Sequence, residues 1–130
     1  MSLNVGLKGK DETLTKLKNS ALEVGSGSVA VFATPMLVAL MESASIKALE
    51  GALGEGESTV GTKVDIRHLA PTPLGMKVKA EAELIEIDRR RLVFKVEAFD
   101  EKEKVGEGLH ERFIINLEKF TQAANSKTRV

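Results

Sequence analysis

The sequence predicts an α+β domain in which one buried helix is covered by an antiparallel sheet. Two features lead there. Residues 36–41, Met-Leu-Val-Ala-Leu-Met, are an unbroken apolar run inside a segment with helix start and stop signals. The stretches that follow alternate apolar and polar residues with the two-residue period of half-buried strands, and short turns suited to hairpins separate them.

In chain order, residues 10–24 are mixed, with a weak alternation through Thr13, Thr15 and Leu17 that suggests an edge strand. Gly-Ser-Gly-Ser at 25–28 is a flexible break. The helix starts at Thr34, a favoured N-cap residue, followed by Pro35 in the first helical position. Apolar residues surround its axis for nearly two turns, so it is expected to be buried on most sides. Gly51 and Gly54 offer places to end it. From Ser58 to Ala70, the residues Val60, Thr62, Val64, Ile66, His68 and Ala70 share one face, with Lys63, Asp65 and Arg67 on the other. Ala-Pro-Thr-Pro-Leu-Gly at 70–75 is a turn. Met76, Val78, Ala80, Ala82 and Leu84 then alternate with lysines and glutamates. Asp-Arg-Arg-Arg turns the chain into residues 92–99, and Asp-Glu-Lys-Glu-Lys turns it into a last strand from about Val105 to Leu117. The 130 residues form one expected domain, 1–130, with no internal repeat. The opening Met-Ser-Leu reads as a cloning remnant.

Composition removes several function classes. Nineteen basic and nineteen acidic residues cancel, so no bulk charge favours nucleic acid or an anionic membrane. The aromatic residues are five phenylalanines, a poor platform for stacking bases. Without cysteine there is no disulfide, thiolate metal site or cysteine nucleophile. The N-terminus has no apolar stretch like that of a signal peptide, and Glu42, Lys47 and Glu50 break the helical segment too often for it to span a bilayer. A cytoplasmic location is expected.

Against this ordinary background, two ionisable residues stand out. Glu42 follows the apolar run directly, with no other charge until Lys47, and His68 falls in register with Val64 and Ile66. Burying either alone costs several kcal/mol or forces it neutral, whereas a pair at the floor of a pocket lowers that cost and tunes catalytic pKa values. Singly, each has a plainer explanation. A helix glutamate is more often exposed or salt-bridged, an inward histidine is more often a hydrogen-bonded core residue, and Thr34 is accounted for by capping. Their convergence gives them weight. Thr34 and Glu42 lie about 12 Å apart along the helix, with a net rotation of roughly 80°, so one elongated ligand can touch both. The helix start offers unpaired N–H groups to a carbonyl or an anion.

Val31–Ser45, Val60–Val78 and Gly106–Phe120 together resemble the fluoroacetyl-CoA thioesterase-like family of hot-dog proteins. The resemblance runs from about residue 24 to 120. It implies the hot-dog fold, a long central helix wrapped by a curved antiparallel sheet, in a homodimer with active sites at the subunit interface. It also implies acyl-CoA thioester hydrolysis by a threonine at the helix start, a glutamate along the helix and a histidine on the next strand, here Thr34, Glu42 and His68. Gly61 corresponds to a point where backbone approaches the ligand. Where fluoroacetate-specific members carry an aromatic lid, this chain has Gly27 and Ser28, which points to a broader or different acyl preference; a short or small acyl group is expected. The expected partner is the acyl-CoA substrate, whose coenzyme A stands in place of any separate cofactor. A non-catalytic acyl-CoA or acyl-carrier binding module is the alternative, and a hot-dog dehydratase is another. The spacing of His68, His110 and Glu42 matches no established metal-ligand pattern, so no metal is expected. Arg112 is a candidate for contact with a CoA phosphate, although a structural or interface role for His110 and Arg112 fits their glycine-rich strand face better.

Overall fold

A computed structural model describes residues 3–128, so Met1 and Ser2 of the expected cloning remnant lie outside the described residues. Leu3 is described, and it packs against the core. The chain forms strand β1 (Lys8–Leu14), a 3-10 turn, the short helix α1 (Ala21–Val24) and the long helix α2 (Thr34–Ala48). Strands β2 (Glu57–His68), β3 (Lys77–Asp88), β4 (Arg91–Phe99) and β5 (Lys104–Asn116) follow. Helix α3 (Leu117–Asn125) and a final 3-10 turn close the described chain. The strands make one antiparallel sheet in the order β1-β3-β4-β5-β2, curled around α2.

The alternation in the sequence accounts for the middle of this sheet. Val78, Ala80, Ala82 and Leu84 of β3 and Leu92, Phe94, Val96 and Ala98 of β4 are buried against Leu37, Leu40, Met41, Ala44 and Ala48 of α2. Their polar neighbours point outward, where Lys104 pairs with Glu97 and Glu107, and Arg91 pairs with Glu86 and Glu111. Small residues let the layers approach. At Gly9 of β1, an added Cβ would lie 2.3 Å from both the Ala44 carbonyl oxygen and the Ala48 nitrogen.

Four expectations need correction. The first strand is an edge strand, but it ends at Leu14, and Leu17 lies exposed in the 3-10 turn. Thr34 does not cap α2. Ala33 occupies the N-cap without a side-chain bond, and Thr34 and Pro35 are the first two helical residues. The helix is not buried on most sides either, since Pro35, Ala39 and Ile46 are exposed on one flank and Thr34 is exposed at its first position. Finally, β2 does not keep a single face. Its register against β5 shifts between Gly61 and Lys63, so Thr62 is the extra residue of a bulge. Thr59 and Gly61 face inward before it, and Val64, Ile66 and His68 after it, opposite Arg112, His110 and the glycines of β5. Val60 and Thr62 therefore take the opposite face, where Thr62 donates to Glu111.

Candidate active site

The inner surface of β2 meets α2 at two places. At the helix start, Thr34 Oγ1 lies 2.6 Å from His68 Nδ1. Pro35 and the turn before α2 bring the hydroxyl to the exposed end of the helix, and the phase set by the bulge aims His68 at it. Burial lowers the His68 pKa, so the neutral ring is favoured and can accept a proton. Its Nε2 is buried with no hydrogen-bond partner among the described residues, which leaves Thr34 as the group that orients the ring. The pair lies in an open cleft of about 290 Å3, also lined by Ala21, Ser26, Val31, Phe32 and Pro71. Among the described residues, His68 is the one ionisable side chain that lines this cleft. A larger groove of about 410 Å3 lies on the outer, charged face of β1, β3 and β4 and holds none of these residues.

Two turns along α2, Glu42 takes part in a second cluster. Its Oε2 lies 3.6 Å from Arg112 Nη1 and 3.9 Å from His110 Nε2. Arg112 Nε donates to Thr59 Oγ1 at 2.9 Å, and Nη2 donates to the Thr59 carbonyl at 3.0 Å. His110 Nδ1 lies 2.8 Å from the Lys63 carbonyl. A carbonyl only accepts, so the His110 proton is on Nδ1, and Nε2 accepts from Arg112 Nη1 at 3.1 Å. Burial is the main influence that keeps His110 neutral, and the nearby Arg112 charge acts in the same direction. The short distance to Glu42 is therefore not an ion pair of the histidine; Arg112 carries the charge.

The sequence-predicted residues thus fall into two groups. Thr34 and His68 are joined directly. Glu42 hydrogen-bonds to neither and faces Gly61, Arg112 and His110 instead. Gly61 has a definite steric role, because a Cβ there would sit 2.6 Å from Glu42 Oε2. Arg112, a candidate for phosphate contact, is almost fully buried behind the carboxylate. His68 and His110 engage different partners, and among the described residues no group of three or more metal-binding side chains forms. Sequence reasoning passed over Thr59, whose inward aim depends on the bulge. The glycine-rich face of β5 was the available signal for His110 and Arg112.

A long helix wrapped by a curled antiparallel sheet is the architecture of hot-dog proteins. Residues 16–118 match the family described as fluoroacetyl-CoA-specific thioesterase. The chain belongs to that family, and with it to the thioester hydrolases that act on acyl-CoA. It is 43% identical over 98 residues to the fluoroacetyl-CoA thioesterase of Streptantibioticus cattleyicolor, covering 75% of this chain and 70% of the relative. A solved structure of the fluoroacetyl-CoA thioesterase FlK with fluoroacetate superposes with a TM-score of 0.89 at 32% identity, covering 96% of this chain and 98% of that one. A thioesterase superfamily member from Thermus thermophilus gives 0.88 at 29% identity, covering 96% and 93%.

Proposed function

We propose that Thr34, His68 and Glu42 carry out hydrolysis of a small acyl-CoA thioester to the free acid and coenzyme A. The observation that best supports this reading is the 2.6 Å contact between the Thr34 hydroxyl and a neutral His68 in an open cleft. The thioester carbonyl would lie at the start of α2, where Thr34 and the helix-terminal N–H groups can polarise it. Glu42 supplies the carboxylate. It either attacks the carbonyl to give a mixed anhydride that water opens, or takes a proton from the water that attacks. In the water route the C–S bond breaks as the proton taken from the water passes through neutral His68 to the thiolate. In the covalent route the thiolate leaves as the anion, and the water that opens the anhydride supplies its proton, relayed by His68. Single-turnover hydrolysis in 18O-labelled water separates the routes when water opens the anhydride at its Glu42 carbonyl, because label then enters Glu42, which the water route never labels.

Gly61 is the proposed point of close backbone approach to the ligand, consistent with a strand position that has no room for a side chain. With Gly27 and Ser28 where fluoroacetate-specific members carry aromatic residues, fluoroacetyl specificity is not part of the proposal. No separate cofactor is required.

The proposed assembly is a homodimer, in which the unpaired outer edge of β2 and the exposed flank of α2 meet their copies. Among the described residues no helix is long and apolar enough to cross a membrane. The cytoplasmic setting expected from the sequence belongs to the same proposal. A thiol-release assay over acyl-CoAs of graded length and polarity is the direct test. Turnover of one or more short acyl-CoAs, lost in Glu42→Gln, supports the reading. Binding of the whole panel without turnover would indicate a non-catalytic module.

A further inference from the structure

We propose that residues 69–73 form the wall that limits the bulk of the acyl group in the cleft, and that Thr72 is the positioning residue of that wall. The inference rests on the reading that the thioester is held at the Thr34–His68 pair. Val31, Leu69, Ala70 and Pro71 give that cleft an apolar lining, and His68 is its one ionisable side chain among the described residues. Such a lining suits an uncharged alkyl group. The phosphates of coenzyme A, or a second carboxylate on the acyl chain, would find no cation there. Leu69 is 47% exposed, so its apolar surface is free to meet such a group beside His68.

The wall is stiff for reasons visible in its sequence, Leu-Ala-Pro-Thr-Pro. Pro71 and Pro73 have a fixed φ, and each disfavours a helical conformation at the residue before it, Ala70 and Thr72. Both ends are tied to the body of the fold. Leu69 N–H donates to the Val105 carbonyl at 2.7 Å, and the Thr72 carbonyl accepts from Phe32 N–H at 2.9 Å. Pro73 also pairs with Val31. The remaining tie is a side chain. Thr72 is fully buried, and its hydroxyl donates to Asp100 Oδ2 at 2.9 Å. Asp100 is itself fixed in the turn between β4 and β5, where Oδ1 accepts from the backbone N–H groups of Lys102 and Glu103. A turn that does not line the cleft thus sets, through one buried hydrogen bond, where Leu69 and Pro71 stand.

The experiment measures kcat and KM for acetyl-CoA, butanoyl-CoA and hexanoyl-CoA in the wild type, Leu69→Ala, Thr72→Val and Thr72→Ser. Leu69→Ala removes part of the wall, so the hexanoyl-to-acetyl ratio of kcat/KM should rise about tenfold. Thr72→Val puts a methyl group against the Asp100 carboxylate and loosens the wall. The same ratio should rise about threefold or more, with kcat for acetyl-CoA within about twofold of the wild type. Thr72→Ser keeps the hydroxyl and should keep the wild-type ratio. An unchanged ratio in Leu69→Ala overturns the wall. Unchanged ratios in Thr72→Val, or equal losses for all three substrates, overturn the positioning role, since a merely structural residue lowers every rate alike. If Thr72→Val does not fold, Asp100→Ala, which removes the same bond from its half-buried side, is held to the same criterion. Should the wild type turn over none of the three, the hydrolysis reading fails, and the ratios of dissociation constants for the same compounds decide the wall instead. Absence of both turnover and binding rejects the wall together with the hydrolysis reading.

Discussion

At the scale of single residues, Thr34 separates a structural role from a chemical one. Ala33 is the N-cap, and the Thr34 hydroxyl is bonded to His68 and not to the helix backbone. Thr34→Ala should therefore cost less than about 1 kcal/mol of stability. Turnover should fall about 100-fold, because His68 loses the partner that orients it. Thr34→Ser should retain most of both; paired melting curves and steady-state rates check this. The two histidines also predict a pH dependence. Burial lowers the folded-state pKa of each below the ordinary value of 6.5. Below about pH 6.5 the unfolded chain binds protons that the folded chain refuses, so stability is full above that value and declines as the pH falls. Asp11 and Glu111, held below their ordinary values of 3.8 and 4.5 chiefly by hydrogen bonds from Ser43 and Thr62, lose their contribution only at lower pH. Urea midpoints between pH 7.5 and 5.5 should therefore report the histidines, and His110→Asn should flatten the slope.

At the scale of elements, the contact between β1 and α2 and the bulge in β2 decide where the site lies. Strand β1 crosses the helix at Gly9, and Asp11 accepts from Ser43 and pairs with Lys47 at 3.2 Å, so the strand is fixed to α2 at two points. Gly9→Ala would force a methyl group against helix backbone, which cannot rotate away as a side chain can. A loss of about 3 kcal/mol is expected from such overpacking, measurable as a lowered denaturation midpoint. The variant should keep its chemistry while folded, because Gly9 lies on the far edge of the sheet from β2. The bulge works differently. It changes which residues face inward partway along β2, so one strand serves both the Arg112 cluster and the Thr34 pair.

At the scale of the whole molecule, the separation of Glu42 from the Thr34–His68 pair bears on assembly. Among the described residues of one protomer no hydrogen bond joins the two groups, and the edge of β2 beside them is unpaired. In the proposed homodimer, one subunit's Glu42 works with its partner's Thr34–His68 pair. Mixing inactive Glu42→Gln and His68→Ala chains after unfolding should then restore about a quarter of wild-type activity, since half the dimers are mixed and each carries one intact site. No recovery would place the whole site in one subunit. Light scattering should give a dimer mass at micromolar concentration, and a monomer mass would count against the assembly.

The sequence by itself determined the fold class and singled out the side chains proposed to react. Alternation in β3 is a local property of consecutive residues, and the strand buries the face it predicts. Glu42 and His68 were conspicuous because a charge in an apolar run and an imidazole on an inward face are costly wherever they fold. The N-cap of α2 was misjudged by one residue because Thr-Pro is a good start signal in two registers, and packing of the preceding turn selects between them. Only the tertiary structure decided which face each half of β2 presents, since a bulge at Thr62 exists only in the pairing with β5. It likewise decided that Arg112 lies behind Glu42 and that Thr59 holds it there. Those contacts span more than fifty residues of chain, and local sequence pattern carries no signal for them.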